Sequence, residues 1–174
     1  ESGRYDMVIN GVEVDDERKA KYSFTDPYCY IRTALIVRDD NDTIHTFEDL
    51  AGRTTANSID STYMTLAEQY GATVSGVDSL DQTLEMVLSG RVDATLNADV
   101  SFYDYMNVHP EAALKVAALT DEASLVAIPV RKEAATESLV KAVNQALAEL
   151  REEGKLKEIS EKYLGGDYTE SAYQ

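Results

Sequence analysis

Between residues 46 and 117 short apolar runs alternate with amphipathic helical patterns, and that alternation constrains this chain more than any other feature. Thr46 with Asp49 makes a capping pattern for a short helix that Gly52 stops. Residues 53–57 read as a strand, 62–70 as a helix closed by Gly71, and 73–77 as the next strand. Ser79 with Gln82 caps a further helix, on which Leu80, Leu84, Val87 and Leu88 share one face. Gly90 ends that helix and residues 92–96 read as a strand; a helix carrying Phe102, Tyr103 and Met106 follows, and residues 113–117 give another strand. Strand–helix–strand alternation of this kind predicts an α/β fold with a parallel-rich sheet flanked by helices. In such sheets ligands sit beyond the carboxyl ends of the strands.

Three polar loops fall at those expected ends: 10–13, 60–63 and 97–99. The first follows an apolar stretch, residues 7–9, expected to be a buried strand, and precedes the acids Asp15, Asp16 and Glu17 at the start of a short helix. Arg18 comes next. Its guanidinium fork, with loop amides beside it, suits a carboxylate, which takes two parallel N–H···O bonds. Read blandly, the same residues are a strand, a turn and a surface arginine.

Outside this region, residues 22–28 read as a turn fixed by Pro27. Residues 34–37 and 125–130 read as two apolar crossings between two lobes. Residues 136–153 form a long amphipathic pattern with Leu139, Val143, Ala146, Leu147 and Leu150 on one side. A last helix carries Leu156, Ile159, Tyr163 and Leu164, and residues 167–174 are expected to fray.

With 174 residues and a net charge of −16 the chain would repel phosphate backbones, which argues against a nucleic-acid partner. Its one cysteine, Cys29, excludes an internal disulfide but leaves the compartment open, and packing between Tyr28 and Tyr30 suits it better than reactivity. His45 and His109 have no Cys or His at ligand spacing, so no metal site is expected. The apolar runs are far shorter than the ~20 residues a membrane-spanning helix needs.

Several segments together resemble a known family. Gly3-Arg4-Tyr5-Asp6, Glu17-Arg18-Lys19 and Tyr22-Ser23-Phe24-Thr25-Asp26-Pro27-Tyr28 are similar to the first-lobe segment of the polar amino-acid-binding proteins of ABC importers. Leu50-Ala51-Gly52-Arg53, Leu88-Ser89-Gly90-Arg91-Val92-Asp93-Ala94 and Ile159-Ser160-Glu161-Lys162-Tyr163 resemble later landmarks of the same family, in order and over nearly the whole chain. The resemblance implies a two-lobed, periplasmic-binding-protein-like (type II) α/β fold whose lobes hinge shut on a ligand. Lobe 1 would comprise residues 1–33 and 124–174 and lobe 2 residues 34–123. The family has further residues upstream, so lobe 1 is expected to be incomplete at its N-terminus, and its open edge to invite a dimer.

The resemblance also implies roles. Arg18 stands where the family arginine grips the ligand's α-carboxylate, with Asn10, Gly11 and Glu13 on the loop around it. Small hydroxyl residues are usual at the positions of Asn10 and Glu13; the Glu13 carboxylate would either bind the ligand's ammonium or face water. Ser61, with Thr62 and Tyr63, stands where the second lobe donates to the carboxylate, and Ser61 would also cap its helix. The family's aspartate for the amino group aligns with Ala98, which cannot do that work; Asp99 is adjacent, as a ligand contact or an N-cap, and Asn97 precedes it. Tyr63 and residues 94–97 are similar to the cystine-binding branch. Phe24, Tyr28 and Tyr30 are expected in the core or pocket wall.

What the resemblance implies is an extracytoplasmic solute-binding protein, periplasmic or a cell-surface lipoprotein, that takes a polar amino acid such as cystine to an ABC-transporter permease. No cofactor or metal is implied, and a lipid anchor upstream would be its one membrane contact. Two other functions stay open: a dehydratase-like enzyme on the same fold, with Glu13 as its acid, and the ligand-sensing module of a receptor.

Overall fold

A computed structural model describes residues 5–59 and 61–170. The chain divides into two compact units, Glu1–Ile31 with Ala123–Gln174, and Arg32–Glu122.

The second unit is built around one strand. Strand β3 (Thr33–Arg38) pairs antiparallel with β6 (Thr95–Ala98) on one side and with β7 (Leu114–Leu119) on the other. Its residues Ala34, Leu35, Ile36 and Val37 are all fully buried. Alternation sends them to opposite faces. Ala34 and Ile36 pack with Leu84, Val87 and Phe102, while Leu35 and Val37 pack with Phe47, Leu50 and Ala67. The run therefore serves as the central strand of this unit rather than as a crossing. One residue of β7 is extra opposite Leu35 and Ile36, leaving a β-bulge at Ala117.

Strands β4 (Thr54–Ser58) and β5 (Thr73–Val77) form the parallel pair that the alternation predicts. An isolated parallel bridge, Thr55 with Ala94, sets β4 beside the approach to β6. The Thr95 hydroxyl donates to the Ala56 carbonyl (2.6 Å) and the Asn57 amide to the Leu96 carbonyl (2.9 Å). The strands thus run β5-β4-β6-β3-β7, with parallel pairing confined to the β5-β4-β6 side. β3 breaks the parallel rule because it enters from outside the alternating region, where no crossover helix fixes its direction.

Helices cover both faces: α2 (Thr62–Gln69) on one, α3 (Leu80–Leu88) and α4 (Asp99–Val108) on the other. The predicted caps form. Ser61 accepts from the Met64 amide (3.1 Å) and Ser79 from the Gln82 amide (3.4 Å). Gly71 closes α2 at φ +82°, in the left-handed region that glycine enters without steric cost.

The first unit is held by two small antiparallel ladders. β1 (Tyr22–Phe24) pairs with β9 (Pro129–Arg131), and β2 (Cys29–Ile31) with β8 (Ser124–Val126). Part of the expected turn at 22–28 is therefore strand, and the expected crossing at 125–130 is divided between β8 and β9. Helix α5 (Glu137–Glu152) is amphipathic as predicted, with Leu139, Val143, Leu147 and Leu150 half-buried, but Ala146 is exposed. Helix α6 (Lys155–Leu164) follows a glycine at φ +70°.

Two expectations fail here. Residues 7–9 are not a buried strand: Met7, Val8 and Ile9 are 38%, 49% and 62% exposed. Met7 makes one antiparallel bridge to Val130, and the Val8 amide bonds to the Pro129 carbonyl (3.2 Å). The segment therefore joins β9 on one side only. The tail does not fray where it is described. Tyr168 and Thr169 are buried. The Ser160 hydroxyl accepts from the Tyr168 amide (2.9 Å), the Tyr30 amide bonds to the Tyr168 carbonyl (2.8 Å), and Arg151 donates to the Thr169 and Pro27 carbonyls. A polar, tyrosine-bearing tail carries no periodicity that would have announced this docking.

Leu35→Ala removes a side chain packed on the fully buried face of β3 and should cost about 2–5 kcal/mol in a urea titration. A loss below about 1 kcal/mol would mean that β3 is not the core strand.

Candidate functional site

On the first unit the site residues lie on one anchored loop. The Ala127 amide bonds to the Val12 carbonyl (3.1 Å) and the Val14 amide to the Leu125 carbonyl (2.8 Å), while Glu13 bridges Val126. Gly11 turns the chain at φ +59°, and Asn10 beside it is exposed. Tyr28 lies against this turn. Burial pushes its hydroxyl pKa up, and the Gly11 backbone amide pulls the other way.

Helix α1 (Asp16–Lys21) begins at the end of the loop, with Asp15 as its N-cap. One oxygen of Asp15 accepts from the Arg18 amide (2.7 Å) and the other pairs with the Arg18 guanidinium at Nη1 (2.9 Å). The same Nη1 donates to the Glu13 carbonyl (2.9 Å). Both contacts run through Nη1, so among the described residues the Nε–Nη2 edge of the fork has no hydrogen-bond partner. Arg18 is half exposed, with its side chain at 48%. Arg18 bonds to the Glu13 carbonyl and not to its carboxylate.

On the second unit, Ser61, Thr62 and Tyr63 open α2, which follows β4. Ser61 is its N-cap, Thr62 is exposed, and Tyr63 packs partly against the Leu35 side of the core. The loop partner Asp60 lies outside the described residues. Asn97 and Asp99 do not form a loop. Asn97 is a strand residue paired with Ala34, and its side-chain oxygen accepts from the Ala98 amide (2.9 Å). Asp99 is the first residue of α4, with Ala98 as the cap position. The ends of β4 and β6 are neighbours, so the two clusters sit at the carboxyl ends of adjacent strands.

Asp99 is fully buried. Its Oδ1 accepts from the Val100 amide (2.7 Å) and the Arg32 amide (3.2 Å), and its own amide bonds to the Arg32 carbonyl (2.9 Å). Its Oδ2 is buried and has no partner among the described residues. Burial raises the carboxyl pKa, opposed by the two amides and by the Arg32 charge. Asn57 is a further polar residue that the sequence reading passed over. It is fully buried in β4, with Oδ1 unpartnered among the described residues. A polar side chain between Ala56 and Ser58 in a strand otherwise facing the core was the available signal.

A cavity of about 620 Å³ opens beside α3, lined by Val77, Glu85, Met86 and Arg91 among others. It contains none of the residues above. No helix among the described residues is long and apolar enough to cross a membrane.

Comparison with known proteins bears on this geometry. Residues 1–166 match the model of the bacterial extracellular solute-binding proteins, family 3. The chain belongs to that family. It is 37% identical over 166 residues to the L-cystine-binding protein TcyA of Bacillus subtilis, covering 95% of this chain and 61% of that protein. It is 35% identical over 167 residues to a probable amino-acid ABC transporter-binding protein of Haemophilus influenzae, covering 96% and 64%. The chain thus spans a little under two-thirds of the length of these curated relatives. Among solved structures, the unliganded, open L-cystine solute receptor of Neisseria gonorrhoeae superposes with a TM-score of 0.79 at 32% identity, covering 97% of this chain and 71% of that one. An ancestral arginine-binding protein bound to arginine gives a TM-score of 0.77 at 32% identity, covering 94% of this chain and 74% of that one. These matches establish the type II periplasmic-binding-protein fold. Its sheets are mixed, with β3 antiparallel to both neighbours.

The buried Asp99 gives a pH test. Its folded pKa is raised, so the native state holds a proton that the unfolded chain has already released. A destabilisation therefore sets in as pH rises above the ordinary aspartate range and is complete above the folded value. The stability of Asp99→Asn minus that of the native chain should rise as pH climbs through and above the ordinary aspartate range, whatever its constant offset. A flat or falling difference in urea titrations would show that Asp99 is not held in this way.

Proposed function

We propose that this protein captures a polar amino acid, cystine or one like it, outside the cytoplasm and passes it to the permease of an ABC importer, without catalysis. The observation that carries this reading is the Arg18 loop. Its backbone is tied to β8 and the residues after it, and its guanidinium is fixed through Nη1 with the Nε–Nη2 edge left for an acceptor. A ligand carboxylate taken there gains charge-assisted bonds of roughly 1.5–3 kcal/mol each. Asn10 and Gly11 shape the loop, and Glu13 offers a carboxylate to an ammonium group. On the second unit the proposed contacts are Ser61, Thr62 and Tyr63 at the start of α2, where helix amides favour an anion, and Asn97 at the end of β6. Asp99, sealed from solvent, acts on that corner through its backbone bonds. Relatives named as L-cystine-binding proteins support the ligand class.

A thermal-shift panel of L-cystine, L-arginine and L-glutamine tests this. A ligand at about a hundred times its Kd stabilises by about 2.7 kcal/mol, which for a chain of this size raises the melting temperature by about 5–10 °C. Arg18→Ala should abolish the shift while leaving the ligand-free melting temperature within a degree or two. Equal shifts in the variant and the native chain would overturn the assignment of Arg18.

A further inference from the structure

Asp15 touches Arg18 twice, and the two contacts have different consequences. The bond from the Arg18 amide to Oδ1 caps α1. The contact of Oδ2 with Nη1 does nothing for the helix backbone; it holds the side chain. The Glu13 carbonyl completes the hold on the same nitrogen. A guanidinium is planar, so fixing Nη1 from two directions fixes the plane of the whole fork. An arginine half exposed to water would otherwise spread over many rotamers, and ordering it on binding would weaken the complex.

We infer that Asp15 is a positioning residue for ligand recognition: its second carboxylate oxygen orients Arg18 so that the Nε–Nη2 edge is presented to an incoming monocarboxylate. The inference rests on the reading of Arg18 as the carboxylate grip. Asp15 also balances the charge of Arg18. Asp16 and Glu17 are offset in turn by Lys19 (3.7 Å) and Lys21 (2.7 Å), so the surroundings of the guanidinium are close to neutral, which suits a zwitterionic amino acid.

Replacement at Asp15 separates the two contacts. Asp15→Ser keeps a good helix cap but is too short and uncharged to pair with Nη1. Asp15→Asn keeps one acceptor oxygen, which the cap uses. Asp15→Ala loses both contacts. Each variant of the full chain is titrated calorimetrically with L-cystine, L-arginine and L-glutamine and melted without ligand. Asp15→Ser and Asp15→Asn should melt with the native chain yet bind about two- to fivefold more weakly, the range for a half-exposed ion pair. Asp15→Ala should lose both melting temperature and affinity. The inference is overturned if Asp15→Ser binds as the native chain does, or if affinity simply follows melting temperature across the three variants. If Arg18→Ala also binds normally, or the native chain binds none of the three amino acids, the functional reading beneath it fails instead.

Discussion

The second unit depends on a single constraint: β3 is buried on both faces and hydrogen-bonded on both edges. Four successive residues, Ala34 to Val37, have no exposed surface. Each larger one removes enough apolar area from water for about 1.5–3 kcal/mol, and the strand cannot shift by one residue without exchanging its faces. Register at β3 therefore sets register at β6 and β7, and through the Thr55–Ala94 bridge it sets where β4 lies. The starts of α2 and α4 follow from the ends of β4 and β6. The residues proposed to meet a ligand on this unit inherit their places from a strand that carries none of them.

The first unit reaches positional accuracy by different means. Its ladders are three residues long, and its loop is tied down by single backbone bonds at Val12 and Val14, which set Glu13 opposite Val126. Local side-chain bonds supply the rest: Asp15 to Arg18, Ser160 to Tyr168, Arg151 to the Thr169 and Pro27 carbonyls. Such bonds are individually modest; those from Asp15 and the Glu13 carbonyl fix where the Arg18 guanidinium points, and the others seat the tail. A binding residue on a loop needs that support, since a fork misaligned by a rotamer loses the bidentate geometry that makes arginine useful.

Much of this was legible in the residues. The capping patterns at Ser61 and Ser79, the glycine stops and the apolar faces of α3 and α5 gave the helices close to their observed bounds. The polar clusters at the ends of β4 and β6 were legible as well, because strand–helix alternation says where strands end. Illegible were the edge position of residues 7–9, the docking of Tyr168 and the inclusion of Asn97 in a strand. In each case an apolar or polar run reads the same whether or not a distant segment lies beside it.

The sequence alone determined the local elements, their caps and the α/β class, because periodicity and capping are set by residues within a few positions of one another. Tertiary structure alone decided that β3 runs antiparallel between β6 and β7, that Asp99 is sealed from water against the Arg32 backbone, and that the tail packs on β2. Those outcomes depend on pairings between residues about 60 to nearly 140 positions apart, and such contacts are selected by burial and hydrogen-bond satisfaction across the whole fold rather than by any local pattern.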